Sequence, residues 1–151
     1  MSRNTLTAYL GLMIIVLGLA ACNPSESPTS FFGEEQPVTR PDIPEQYAGL
    51  GNPYIDDPAA ISAGETLYEA NCSSCHGVTG EGDGPASGGI VPPPGNLALR
   101  QANLSDAYLY WRISEGGLMK PFNSIMPGWK GMLDAQSIWE IISYMRTMIV
   151  L

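Results

Sequence analysis

The sequence has a single histidine, His76, and only three cysteines, at positions 22, 72 and 75. An odd, small number of cysteines excludes a disulfide framework as the basis of the fold. Basic residues are also scarce, with 7 Lys and Arg against 15 Asp and Glu, a formal net charge of −8 and no basic cluster. A nucleic-acid partner is therefore not expected, because phosphate binding requires Lys and Arg. The negative charge suits either a basic partner surface or simple solubility.

No stretch alternates polar and apolar residues with a period of two, so the sequence predicts no β-sheet. Three helices are expected instead. The first begins at Asp57-Pro58, the second covers 105–115 and ends at Gly116, and the third starts at Asp134 and runs to about residue 150. The glycine-rich stretch 77–97 is predicted to be irregular chain that encloses another group and does not pack on itself. The expected fold is all-α.

The N-terminus has the pattern of an export signal, with an apolar run from Tyr9 to Ala21 that is too short for a membrane span of about 20 residues. Leu19-Ala20-Ala21-Cys22 resembles the bacterial lipoprotein box, which implies a lipid on Cys22. We therefore predict a lipoprotein signal peptide at 1–21, a proline-rich tether at 22–57 and a folded domain at 58–151. The domain is expected on the extracytoplasmic (periplasmic) face of a bacterial membrane.

The stretch Cys72-Ser-Ser-Cys75-His76 fits three chemistries: a redox dithiol, a zinc site or a covalent haem. A dithiol of the thioredoxin kind needs a βαβ scaffold, which is not predicted. Zinc needs four ligands from separate segments, and the chain has one histidine and no second cysteine pair. Haem needs two thiols for its vinyl groups and the following histidine for its iron. We therefore predict one covalent haem c on Cys72 and Cys75, with His76 as an axial ligand.

The second axial ligand cannot be a histidine, because His76 is the only one in the sequence. Met126 is the preferred candidate, since it lies in a non-helical loop and Pro127 fixes an extended backbone directly after it. Met145 and Met148 belong to the apolar face of the third helix and are expected in the core. The other candidates are Met119, Met132, Lys120 and Lys130.

The domain resembles class I cytochrome c over essentially its whole length. The similar stretches are GETLYEANCSSCHG, GDGPASGGIVPPPGNL, WRISEGG, SIMPGWKGML and IWEIISYMRTM. The resemblance implies that helices cross at Gly64 and Tyr68 against Trp139 and Tyr144. It also implies that a proline carbonyl, from Pro92, Pro93 or Pro94, accepts the Nδ1–H of the haem histidine. Arg100 and Trp129 are implied as partners of the haem propionates.

Iron with histidine and methionine ligands has no open position, so the expected chemistry is one-electron transfer and not catalysis. The glycine- and proline-rich loop and the MPGWKG stretch also resemble the monohaem lipoprotein subunit of alternative complex III. That resemblance implies a fixed subunit of a quinol-oxidising respiratory or photosynthetic complex, with other subunits and a redox protein as partners. A free lipid-tethered shuttle between a reductase and an oxidase, or the haem domain of another oxidoreductase, remain alternatives.

Overall fold

The structure is a computed structural model that describes residues 40–148. Every regular element in this range is helical, which confirms the all-α prediction. The elements are α1 (Pro58–Asn71), α2 (Ser73–His76), α3 (Leu97–Arg100) with a 3₁₀ turn (Gln101–Asn103), α4 (Asp106–Glu115) and α5 (Ala135–Met145). Helices α2 and α3 were not predicted, because four residues are too few to show a helical period. None of the helices between residues 40 and 148 is long and apolar enough to cross a bilayer.

The three long helices begin where the sequence predicts, and each start is capped by a side-chain oxygen. Asp57 accepts from the N–H of Ala59 at 2.9 Å, and Asp134 accepts from Ser137 at 2.8 Å. Ser105 caps α4 in the same way. These contacts satisfy N–H groups that have no partner within the helix.

The last helix is shorter than predicted, since α5 ends at Met145. The chain beyond it turns, and the side-chain amide of Gln101 donates to the carbonyl oxygen of Met148 at 3.0 Å. Arg146 pairs with Asp106 and donates to the Leu104 carbonyl at 2.7 Å. These side-chain bonds fix the chain just beyond α5 against the 3₁₀ turn and the start of α4.

The core forms where α1 crosses α5. Ile138, Ile141 and Ile142 of α5 are fully buried with Tyr68 of α1. The expected contact between Tyr68 and Tyr144 is present, with ring centroids 5.5 Å apart. Trp139, which the resemblance places in the same crossing, belongs to this core and also packs on Tyr110 of α4, with ring centroids 4.2 Å apart. Helix α4 is thereby held against α5 by an aromatic pair.

The described part of the predicted tether packs on the helices. Residues 40–57 form a strap in which Tyr47 is buried and its hydroxyl donates to the carboxylate of Glu115, the last residue of α4. Asn52 donates to the hydroxyl of Ser143 at 2.9 Å, and that hydroxyl in turn donates to the Tyr54 carbonyl. The strap therefore contacts both α4 and α5. Six prolines made residues 23–57 look like a tether throughout, but this part of it has polar and aromatic side chains with partners in the domain.

Replacing Tyr47 with alanine is expected to lower the free energy of unfolding by about 2–4 kcal/mol, because the ring is buried against the helices. Tyr47→Phe is the matched control: it keeps the ring and loses only the bond to Glu115, at a cost of about 1 kcal/mol. Urea unfolding followed by circular dichroism measures both. Equal stability of Tyr47→Ala and the native protein would show that the strap does not belong to the cooperative unit.

Candidate haem site

The CxxCH stretch begins where α1 ends and forms one compact turn. Cys72 closes α1 through the bond from its N–H to the Tyr68 carbonyl at 2.8 Å. Its own carbonyl accepts from the N–H groups of Cys75, at 3.2 Å, and His76, at 2.9 Å. Helix α2 then ends at Gly77, whose φ is +79°. Two cysteines and one histidine are thus carried on a single helical turn.

Both thiols of this turn are free and partly buried. Burial, with a smaller contribution from nearby Cys75, raises the pKa of the Cys72 thiol to about 12. A redox dithiol or a zinc ligand works as a thiolate, which a lowered pKa favours. Within residues 40–148, moreover, no three His, Cys, Asp or Glu side chains gather as a metal-binding group. The raised pKa of Cys72 therefore does not favour either of these thiolate-based alternatives.

His76 is oriented by a backbone carbonyl. Its Nδ1 lies 3.2 Å from the carbonyl oxygen of Gly95, to which it donates as an N–H. Burial lowers the pKa of His76, although this hydrogen bond acts in the opposite direction. The neutral ring is therefore favoured, and with Nδ1 protonated it presents the lone pair of Nε2, the arrangement in which imidazole binds a metal.

The partner of His76 corrects the sequence-based expectation, because its carbonyl does not belong to Pro92, Pro93 or Pro94. The Pro94 carbonyl is turned toward Gly82, so closely that a Cβ on Gly82 would lie 2.5 Å from it. The next carbonyl, that of Gly95, is then the one available to the ring. Asn96 fixes the chain just beyond, by capping α3 through the N–H of Leu99 at 2.9 Å.

The glycine-rich loop wraps the CxxCH turn, as its composition predicts. The N–H of Gly82 donates to the His76 carbonyl at 2.7 Å, and the N–H of Ala86 donates to Ser74 at 2.8 Å. The exposed side chain of Arg100 lies beside Gly95, with Nη1 3.5 Å from where a Cβ on that glycine would be. Of the two residues expected near the haem propionates, Arg100 thus lies beside Gly95, whose carbonyl accepts from His76.

Met126 lies half-buried in the loop between α4 and α5 and packs against the core, as Cys72 and Trp129 also do. Its carbonyl accepts from the N–H of Gly117 at 2.8 Å, which fixes the loop at its base. Met145 and Met148 are buried in the core, as predicted. The other candidates differ in exposure: Met132 is 63% exposed, Lys130 pairs with Glu115, Lys120 is exposed and Met119 is half-buried. Cys22 lies outside the described residues.

Sequence reasoning missed two supports of this site. One is the Gly95 carbonyl, for which the proline run was only an approximate signal. The other is Tyr68, which was assigned only to the helix crossing: its hydroxyl donates to the Gly77 carbonyl at 2.9 Å and so ties α1 to the end of the CxxCH turn. Nothing in the spacing of the motif indicates that bond.

The residues present fit a covalent haem c. Two free thiols lie one helical turn apart, an oriented imidazole follows, and a thioether lies at the border of the same core. Imidazole and thioether are established haem iron ligands. A helical domain with this donor set defines a c-type cytochrome, an electron-transfer protein.

Residues 59–145 match the family described as cytochrome c oxidase, cbb3-type, subunit III, and the chain belongs to this family of cytochrome c domains. It is 29% identical over 124 residues to the cbb3-type cytochrome c oxidase subunit CcoP of Azospirillum sp. (strain B510), covering 78% of this chain and 39% of that protein. It is also 33% identical over 92 residues to the cytochrome bc1 complex cytochrome c subunit of Corynebacterium diphtheriae, covering 60% and 28% of the two chains.

Among solved structures, cytochrome cL of Methylophaga aminisulfidivorans is similar, with a TM-score of 0.51 and 26% identity over 73% of this chain and 67% of that one. The chain thus spans well under half the length of the two curated relatives. What is common to all of them is the cytochrome c domain. The chain accordingly binds one covalent haem c and transfers electrons.

Proposed function

We propose that this protein is a membrane-anchored monohaem cytochrome c that serves as a fixed subunit of a quinol-oxidising electron-transfer complex of the alternative complex III type. In this proposal Cys72 and Cys75 hold the haem, and His76 and Met126 bind its iron. The lipid on Cys22 anchors the chain at the extracytoplasmic face. The observation that carries the subunit role is the strap, because residues 40–57 are bound to the domain and so do not serve as a free swing arm for a shuttle.

Each of these residues has a separate task. A bound haem supplies one-electron transfer through its iron. The Gly95 carbonyl holds the proton of His76 at Nδ1 and leaves Nε2 free. The loop fixed by Gly117 would place Met126, whose side chain packs against the same core as Cys72 and Trp129. If His76 and Met126 both hold the iron, the bound haem would supply electron transfer and would offer no position to a substrate.

Replacing Met126 with alanine is expected to lower the midpoint potential by on the order of 0.2 V, part of the ~0.8 V over which axial ligands tune haem. The physical reason is that a thioether favours Fe(II), and its loss also lets added imidazole or cyanide bind. Met132→Ala, at an exposed methionine six residues further on, is the matched control and should leave the potential unchanged. Redox titration of both variants measures the two midpoint potentials. An unchanged potential in Met126→Ala would assign the iron to another side chain.

Native electrophoresis of mildly solubilised membranes, stained for haem, tests the subunit role. A fixed subunit migrates with a large complex at constant stoichiometry, and its companions identify the donor and the acceptor. Migration alone would support the second candidate, a lipid-tethered shuttle, or else a haem domain that acts with another oxidoreductase. The acidic composition fits a basic docking surface in each case.

Replacing Cys22 with serine tests the anchor separately. We expect the variant to appear in the soluble extract instead of the membrane fraction, because the lipid would have no attachment site. The haem content should stay normal, since Cys22 lies outside the CxxCH stretch. Retention in the membrane at an unchanged level would show that Cys22 is not the anchor.

A further inference from the structure

The loop that carries Met126 also contains a second methionine. Met119 and Met126 are both half-buried, and both lie between α4 and α5. The base of the loop is held by Gly117, whose N–H donates to the Met126 carbonyl and whose carbonyl accepts from Ser124, each at 2.8 Å. Above this base, Met119 begins a turn that the N–H of Phe122 closes at 3.0 Å. Two thioethers are therefore available near the same end of α4.

Arg112, in the last turn of α4, contacts the turn that contains Met119. The Cζ atom of Arg112 lies 3.4 Å from the centroid of the Phe122 ring. Its Nη1 donates to the Gly116 carbonyl and lies 3.9 Å from the Sδ atom of Met119. Phe122 is held in turn by Trp111 of α4, edge to face with centroids 5.6 Å apart. One guanidinium thus contacts three residues of the loop.

Arg112 has no acidic partner within the described part of the chain. The ion pairs found in residues 40–148 are Lys130 with Glu115 and Arg146 with Asp106. Arg112 is nevertheless half-buried. A partly desolvated guanidinium without a carboxylate gains its stabilisation from aromatic faces and neutral acceptors, which here are the Phe122 ring, a carbonyl and a sulfur. The contacts with the loop are therefore the main ones that this charge makes.

We propose that Arg112 is a positioning residue that selects Met126 over Met119 as the methionine presented to the haem iron. This inference rests on the proposed function, because it takes Met126 as the second axial ligand. Arg112 acts by holding the Met119 sulfur and the Phe122 ring on α4, whereas the side chain of Met126 makes apolar contact with the core and its backbone carbonyl is fixed at the base of the loop. Without the guanidinium, Met119 becomes a competing ligand.

Replacing Arg112 with glutamine removes the charge and keeps most of the length of the side chain. We expect the fraction of protein with Met119 on the iron to rise by about tenfold, to roughly a tenth of the molecules, which is the range of a minor state that spectroscopy detects. The Phe122→Leu variant removes the ring while retaining Arg112, and should raise the same fraction by a smaller factor. Arg112→Lys keeps the charge but lacks the planar fork, so it should restore Met126 only in part.

Proton NMR of the reduced holoprotein provides the readout. The haem ring current shifts the methyl signal of an iron-bound methionine far from all others, so each bound methionine gives its own set of signals. The native protein should show one set and Arg112→Gln two. The second set should vanish when Met119→Leu is added, because leucine has no sulfur to bind the iron.

A single, native set of methionine signals in both Arg112→Gln and Phe122→Leu would overturn the inference. So would a change in the midpoint potential with only one set, because that result would mean that Arg112 acts through its charge. The ligand assignment is tested apart from this, in the native background: Met126→Leu must lose the native set and Met119→Leu must keep it. If Arg112→Gln does not assemble with haem, the signals of Phe122→Leu decide.

Discussion

Serine at both Cys72 and Cys75 is expected to abolish the covalent haem and with it all electron transfer. The two thiols lie one helical turn apart, and each is proposed to form one thioether bond. The hydroxyl group of serine does not replace a thiol in this bond. On a denaturing gel stained for haem, the band of this protein should disappear completely.

Cys22→Ser is the matched control, because it replaces the remaining cysteine of the sequence. Its haem stain should equal that of the native protein. The single variants Cys72→Ser and Cys75→Ser should keep one thioether and show a weaker, shifted haem spectrum. A haem-stained band that persists in the double variant would contradict the assignment of the attachment site.

Loss of the haem should also destabilise the fold. The core described here is built mainly from α1, α4 and α5, and long stretches of the rest are glycine-rich loop. A small domain of this kind has little apolar surface to bury on its own. We therefore expect the double variant to lose much of its helical circular dichroism near room temperature, where the holoprotein stays folded.

The parts of the fold that the sequence predicts are those controlled by neighbouring residues. Asp57, Ser105 and Asp134 start helices because a short acceptor side chain reaches N–H groups two or three residues away. Cys72, Cys75 and His76 come together because one helical turn carries them all. Local chemistry of this kind is visible in the sequence itself.

The parts that the sequence does not predict depend on distant residues. The choice of the Gly95 carbonyl over Pro94 depends on where Gly82 lies, and the packing of Tyr47 depends on a carboxylate 68 positions away. A proline-rich composition describes the flexibility of a chain but not the surface on which it lies. The position of the chain just beyond α5 likewise depends on Gln101, whose amide donates to the Met148 carbonyl, and no helical period can indicate that bond.

The crossing of α1 and α5 leads to the second large expected effect, at Gly64. A Cβ atom placed on this glycine would lie 1.9 Å from the carbonyl oxygen of Glu140 and 2.5 Å from its carbonyl carbon. Both atoms belong to the backbone of α5 and cannot rotate away as the end of a side chain can. Even alanine therefore requires the two helices to separate, next to the fully buried Tyr68 and Ile141.

We expect Gly64→Ala to lower the free energy of unfolding of the holoprotein by about 3 kcal/mol or more, at the upper end of the usual overpacking cost. A loss of stability would be informative, because alanine inside a helix is otherwise favoured over glycine by about 1 kcal/mol. Gly51→Ala is the matched control: a Cβ there meets nothing within 4 Å, so its effect should stay within about 0.5 kcal/mol. Urea titration followed by circular dichroism and haem absorption measures both variants. Native stability of Gly64→Ala would mean that α1 and α5 are further apart than this structure places them, and that the haem turn at the end of α1 is not held by that crossing.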